Sequence, residues 1–161
     1  LRARIVVKPV RPRGFQHYGG VVTTAETSAP RVSLVLPVHN GEAYLAEALA
    51  SIAAQSFSDY ELICVDDASS DGSPALLTAA AAADPRIQYV RLDNNVGLPA
   101  ALNAGFARAR GAYFGWTSDD NILRPAMLAR LVAALDAHPE CGVAHSDYSV
   151  IDGSGDVQET I

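Results

Sequence analysis

Four β-branched apolar runs, separated by segments with the period of a helix, restrict this chain to very few architectures. "VSLVLPV" (32–38), "YELICV" (60–65), "IQYVRL" (87–92) and "AYFGWT" (112–117) each have the length and composition of a short buried strand. A later run, "CGVAHS" (141–146), predicts a fifth. Between the runs, Leu45, Ala48, Leu49 and Ile52 recur at i, i+3, i+4 and i+7, as do Leu98, Ala101, Leu102 and Gly105, and Leu128, Leu131, Val132 and Leu135. "DGSPALLTAAAAA" predicts another helix, with Asp71 or Ser73 as its cap and Pro74 in its first turn. Repeated strand, helix, strand implies an α/β fold with right-handed crossovers: a mostly parallel sheet, helices on both faces, three layers in all. In such sheets ligands bind beyond the carboxyl ends of the strands.

The 161 residues suffice for one domain with a hydrophobic core, and 49% apolar with 19% charged residues is a globular composition. Residues 1–30 mix Arg, Pro and Gly without a sustained period and predict a basic linker or tail, with the folded part at 31–161. That tail is read as a solvated arm, the alternative being a basic patch for a partner or for peripheral membrane association. Through Arg31, six cations face one acid, a charge of +5, so the rest of a chain of net −6 carries −11. Such a body repels nucleic acid, and any phosphate it binds needs a bridging cation. Cys64 and Cys141 have neither metal nor redox spacing and are expected to be small core residues in a reducing compartment. No apolar run reaches the roughly 18 residues of a membrane span, and the start lacks a signal-peptide pattern. The expected location is the cytoplasm, including the cytoplasmic face of a membrane.

Three strand ends are polar. "VDDASSDG" places Asp66 and Asp67 together, where a carboxylate can satisfy loop amides or accept the ring N–H of a uracil or thymine, while Asp71 reads as a cap or turn former. "PVHNGE" puts Asn40 and Gly41 in a turn and Glu42 in a first helical turn, with His39 either a ring on which a base stacks or a plain loop residue. "GWTSDDN" crowds Asp119 and Asp120 beside Asn121, an oxygen-rich site for a hard cation such as Mn²⁺ or Mg²⁺. One carboxylate is expected on the metal, its neighbour on a ribose hydroxyl or the loop. The bland alternative is a solvated acidic loop with Asp120 or Asn121 capping the helix before Pro125. Convergence of three such ends on one sheet edge favours a nucleotide diphosphate site.

"VSLVLPVHNGEAYLAEALASIAAQSFSDYELICVDDASSDGS", followed by "NNVGLPAALNAGFARARGAYFGWTSDDN", resembles the nucleotide-sugar-binding half of the inverting family 2 glycosyltransferases, which have the Rossmann-like GT-A fold. The likeness runs from about Arg31 to Asp156 and uses four motifs in order. It implies transfer of a hexose from a nucleotide sugar, usually UDP-linked, to a saccharide, lipid-linked or protein acceptor, as in cell-surface polysaccharide synthesis. By the resemblance, Pro37, Val38, His39, Asn40 and Glu42 line the base and ribose pocket, and Asp67 reads the pyrimidine with Asp66 beside it. Gly97 and Asn103 belong to the loop and helix that close over the nucleotide. Ser118 belongs to the nucleotide site, Asp119 lies near the ribose, and Asp120 is the main metal ligand, with Asp119 beside it. Many members carry an acid two residues before the Asp pair, where this chain has Thr117. The general base is expected beyond Ile161, the chain stopping short of the acceptor half; His145 and Asp147, in "AHSDYS", are the local candidates and read as structural or cleft-lining groups.

Three rivals lack their chemistry. A dinucleotide-binding dehydrogenase needs a Gly-x-Gly-x-x-Gly loop after the first strand, and "PVHNGEAYL" has none. A phosphoacceptor receiver domain, by resemblance, needs a lysine after a later strand, and the chain's one lysine is Lys8. A nucleotidyltransferase needs a glycine-rich, basic triphosphate loop. The remaining alternative is a non-catalytic nucleotide-binding or scaffold module with a GT-A fold, favoured by Thr117 and by the missing acceptor half.

Overall fold

Val32–Val38 (β2) and Tyr60–Asp66 (β3) are buried along their whole length, as a strand covered on both faces must be. The computed structural model describes residues 8–9, 29–153 and 155–160. Within them, Ile87–Arg91 (β4) and Tyr113–Trp116 (β5) complete the expected parallel set, and Lys8–Pro9 (β1) adds a short antiparallel edge. The sheet order is β1-β5-β2-β3-β4. Register runs from Val32↔Tyr60 to Val38↔Asp66 between β2 and β3, and from Val32↔Tyr113 to Val35↔Trp116 between β2 and β5.

The helices are Glu42–Ala53 (α1), Ser73–Ala83 (α2), Leu98–Phe106 (α3) and Met127–Ala137 (α4). Alternation along β2 and β3 divides the core. Leu34, Leu36, Leu62 and Cys64 meet Leu45 and Ile52 of α1, Leu77 of α2 and the Leu128, Leu131, Val132, Leu135 stripe of α4. Val35, Ile63 and Val65 meet Ala101 of α3 on the other face. The chain winds outward from β2 through β3 to β4, then returns by α3 to β5 on the opposite side of β2. The winding reverses between β2 and β5, which opens a crevice at the carboxyl ends of those strands.

Three expectations require correction. Residues 141–146 form no strand: they are irregular and mostly exposed, and only Ala144 packs partly against the core. Apolar composition makes a strand only where a ladder partner is at hand, and the free edge of β5 is paired with β1. The pairing that does occur downstream is a separate antiparallel pair, Ser149–Ile151 (β6) with Val157–Thr160 (β7). Cys141 is correspondingly exposed, whereas Cys64 is buried as expected, its thiol pushed up to about 12 by desolvation. Finally, neither Asp71 nor Ser73 is the N-cap of α2. Gly72 holds that position without a side-chain cap, and Asp71 Oδ1 accepts the Ser73 N–H at 3.0 Å from one residue further back. Of the expected tail, all but Lys8–Pro9 and residues 29–30 lies outside the described residues.

Candidate functional site

A cavity of about 300 Å³ opens at the β2–β5 crevice, lined by Pro37, Val38, His39, Asp67, Leu98, Ala101, Trp116, Ser118 and Asp119. Six of these were expected from the sequence. Leu98, Ala101 and Trp116 were not: the first two belong to a helical apolar stripe that reads as core, and only the start of α3 at the strand ends turns that stripe toward the cavity.

The first two polar strand ends are interlocked. Asn40 adopts φ +57°, a left-handed conformation that Asn tolerates better than most residues. Its N–H donates to Ser69 Oγ at 3.0 Å and its Oδ1 accepts the Ser70 N–H at 2.8 Å. Gly41 N–H donates to Ser73 Oγ and Glu42 N–H to Asp71 Oδ2, each at 3.0 Å. In return, Gly72 N–H donates to Glu42 Oε2 at 2.8 Å. The exchange satisfies amides that helix starts leave unpaired and sets carboxylates where both helix dipoles favour them. Asn40 and Glu42 therefore join two segments of the scaffold, and neither lines the cavity.

Asp66 and Asp67 differ in role. Asp66, with no exposed surface, accepts the Ser69 N–H at 2.8 Å, the Tyr89 hydroxyl at 2.9 Å and Arg91 Nη1 at 2.5 Å. Burial alone would raise its carboxyl; the Ser69 and Tyr89 hydrogen bonds and the Arg91 guanidinium outweigh this and hold it below the ordinary carboxylate range. It does not line the cavity. Asp67 does, while its Oδ1 and Oδ2 accept the N–H groups of Val96 (2.7 Å) and Gly97 (2.8 Å). Each oxygen keeps a lone pair for a further donor. Gly97, at φ +80°, shapes this loop through a conformation only glycine adopts freely. Asn103 is exposed on α3, away from the lining.

The third strand end is left polar and unsatisfied. The only two buried side-chain oxygens without a hydrogen-bond partner among the described residues are Thr117 Oγ1 and Asp120 Oδ1, both within "TSDD". Asp119 Oδ2 lies so close to Gly41 that a Cβ there would stand 2.0 Å from it. Burial raises the Asp119 carboxyl, and repulsion from Asp120 and Asp71 raises it further. A hard divalent cation fits these groups: two carboxylates and an unpaired hydroxyl supply oxygen ligands and a local excess of negative charge. Among the described residues no three His, Cys, Asp or Glu side chains cluster in ligating geometry, so oxygens from outside these side chains would have to complete the shell. His145 and Asp147 are exposed in the irregular 141–148 segment and do not line the cavity.

Known proteins share this fold. Crystal structures of S. aureus TarS superpose with a TM-score of 0.63 for the complex with UDP and 0.64 for that with UDP-GlcNAc, each at 26% identity. Each covers 68% of this chain, and the chain covers 33% and 32% of those chains. The mannosyltransferase PcManGT from Pyrobaculum calidifontis, in complex with GDP-Man and Mn²⁺, superposes at 0.61 with 31% identity over 68% of this chain and 33% of its own. The architecture is thus GT-A. In sequence, the O-antigen biosynthesis protein RfbC of Myxococcus xanthus is 37% identical over 128 residues, 78% of this chain and 10% of RfbC. The succinoglycan biosynthesis protein ExoO of Rhizobium meliloti is 35% identical over 125 residues, 77% of this chain and 35% of ExoO. The chain thus spans about a tenth to a third of these two relatives. The profile of glycosyl transferase family 2 matches residues 33–159, taking in all four parallel strands and the three polar ends that meet at the cavity; the chain belongs to that family.

Proposed function

We propose that this chain forms the donor site of a glycosyltransferase that passes a hexose from a UDP-linked sugar, with inversion, to a saccharide, lipid-linked or protein acceptor in cell-surface polysaccharide synthesis. What carries the reading is the pair of unpartnered oxygens in "TSDD" beside a cavity that also presents Asp67 and His39. The relatives named for O-antigen and succinoglycan biosynthesis support the pathway class. The TarS complexes support a uridine nucleotide.

In this reading Asp67 accepts the ring N–H of the pyrimidine, with His39 against the base, and Pro37 and Val38 form the wall at the end of β2. Ser118 and Asp119 face the ribose. Asp120, assisted by Asp119, holds Mn²⁺ or Mg²⁺. When bound, the cation neutralises the diphosphate and the charge that grows on it as it leaves. An acidic cleft needs such a bridge, because without it Asp119 and Asp120 repel the phosphates. Inversion means one displacement at the anomeric carbon by an acceptor hydroxyl whose proton goes to a general base. That base is a residue other than those lining the cavity. No helix among the described residues is long and apolar enough to cross a membrane. We place the chemistry in the cytoplasm, including the cytoplasmic face of a membrane.

Calorimetric titration of UDP into the protein, with and without Mn²⁺, tests the proposal. Binding should require the metal and weaken by about fifty-fold or more in Asp120→Ala, a loss of the size expected when a buried charged partner is removed. Absence of binding by any nucleotide, metal present, would instead support a scaffold with a GT-A fold.

A further inference from the structure

Asn95 does not line the cavity, yet it completes a closed ring of hydrogen bonds that does. Its Oδ1 accepts the Gly97 N–H at 3.0 Å, which fixes the orientation of the amide and turns Nδ2 toward His39 Nε2, also 3.0 Å away. Across the imidazole, His39 Nδ1 stands 2.7 Å from the carbonyl oxygen of Asp67. A carbonyl only accepts, so Nδ1 carries the proton, and Nε2 is left as the acceptor for the Asn95 amide. The ring closes through the Asp67 carboxylate, which holds the Gly97 N–H at 2.8 Å. Asn40 Nδ2, at 3.3 Å, is a second and longer donor to the same Nε2.

Every atom at the edge of the His39 imidazole that can form a hydrogen bond is thereby engaged with protein. What remains for a ligand is the face of the ring, and a face recognises a base by stacking. We propose that Asn95 is a positioning residue of the donor site: it locks His39 as the neutral Nδ1–H tautomer at one ring angle, so that the imidazole face forms a stacking wall for the nucleobase. The proposal rests on the donor reading above. It also explains why an exposed Asn precedes Val96 and Gly97. One side chain ties the wall of the cavity to the loop at the start of α3, and Asp67 ties both to β3.

The test is a double-mutant cycle for UDP binding in the presence of Mn²⁺, using Asn95→Ala, His39→Ala and the double variant, with the ¹⁵N resonances of the His39 ring followed in parallel. Wild-type protein should show a protonated Nδ1 and a bare Nε2. Asn95→Ala should blur that signature and weaken UDP by about five- to tenfold, the scale of one lost hydrogen bond, with a Tm close to wild type because residue 95 is exposed. In a His39→Ala background the same change should cost less than about twofold, since interacting residues fail to add. An Nε2–H tautomer in wild type, or an Asn95→Ala loss that persists undiminished without His39, overturns the inference while leaving the donor reading intact. Failure of wild-type protein to bind UDP, CDP or GDP overturns the donor reading and the inference with it.

Discussion

Gly41→Ala tests the site where its geometry is tightest. Gly41 has φ −96° and ψ 10°, values an alanine accepts without backbone strain. Space is what forbids the substitution. The added Cβ would lie 2.0 Å from Asp119 Oδ2, 2.8 Å from its Cγ and 3.2 Å from its Cβ. A carbon and an oxygen need roughly 3.2 Å or more, so Oδ2 must retreat by about 1 Å, and a displacement of that size at a reacting or ligating group can cost about a hundredfold. Helix stability falls by about 0.5–1 kcal/mol, because alanine is a poorer N-cap than glycine. The expected result is a 10- to 100-fold loss of UDP affinity in Mn²⁺, with a Tm lowered by only a few degrees. Gly72→Ala is the control. Its Cβ would meet Glu42 Oε1 at 2.3 Å, a similar clash, but the partner is the far end of an exposed side chain that can swing into water. UDP binding should survive it. Equal losses in the two variants, or unchanged binding in Gly41→Ala, would refute the view that Asp119 is seated by the missing Cβ and that Glu42 serves the scaffold alone.

Other expectations follow from single residues. Ala68 sits at φ +57° in the turn after Asp67; Ala68→Gly should stabilise the protein by about 0.5–1 kcal/mol, the left-handed penalty less the added freedom of the unfolded chain, seen as a higher Tm. Asp66→Asn should destabilise by about 1–3 kcal/mol at neutral pH, because it removes a fully buried carboxylate that accepts from Ser69, Tyr89 and the half-exposed Arg91. Because the Asp66 carboxyl is held below its ordinary 3.8, the stability it contributes is present above that value and lost as pH falls through the lower folded one. The gap between wild type and Asp66→Asn in pH-dependent melts should therefore narrow in acid below pH 3.8 and not before. Glu61, buried at the opposite end of the sheet, accepts from Ser33 Oγ (2.6 Å), the Arg110 N–H (2.8 Å) and the Arg110 guanidinium (2.8 Å). Glu61→Ala should lower stability by about 2–3 kcal/mol while leaving UDP affinity of the folded protein unchanged, as denaturant melts and titration would show.

The α/β layering was legible because its signals are local and redundant. Four apolar runs became four parallel strands, and the Leu128, Leu131, Val132 and Leu135 stripe is buried on α4. The fifth run failed for a reason that no local pattern carries: a strand is defined by its neighbour, and 141–146 has none. Convergence of the polar ends was legible from the rule for parallel sheets. The division of roles among those ends was not. Asp66 and Asp67 are identical side chains at adjacent positions, and only the facing residues distinguish them: Arg91 and Tyr89 on β4 for one, the Val96 and Gly97 amides for the other. Asn95 went unnoticed because "NNVG" reads as turn chemistry, and its contact with His39 spans 56 residues of chain.

The partition of hydrogen bonds explains how an acidic cleft of this kind can fold before it binds anything. Four of its carboxylates are matched internally: Asp66 by a guanidinium, Asp67 by loop amides, Asp71 and Glu42 by the starts of two helices. Each of those matches also fixes a segment of backbone, so the charge serves to order the strand ends. Asp119 and Asp120 stand apart. Asp119 has its neighbour Ser118 at 3.3 Å and is pressed on Gly41, and Asp120 has a buried oxygen with no hydrogen-bond partner among the described residues. An unpaired buried oxygen costs about 1–3 kcal/mol, and one that stability alone did not require is most simply retained for a ligand that supplies the missing positive charge. The paired acids thus order the strand ends, and the two buried side-chain oxygens left without a partner among the described residues both lie within residues 117–120.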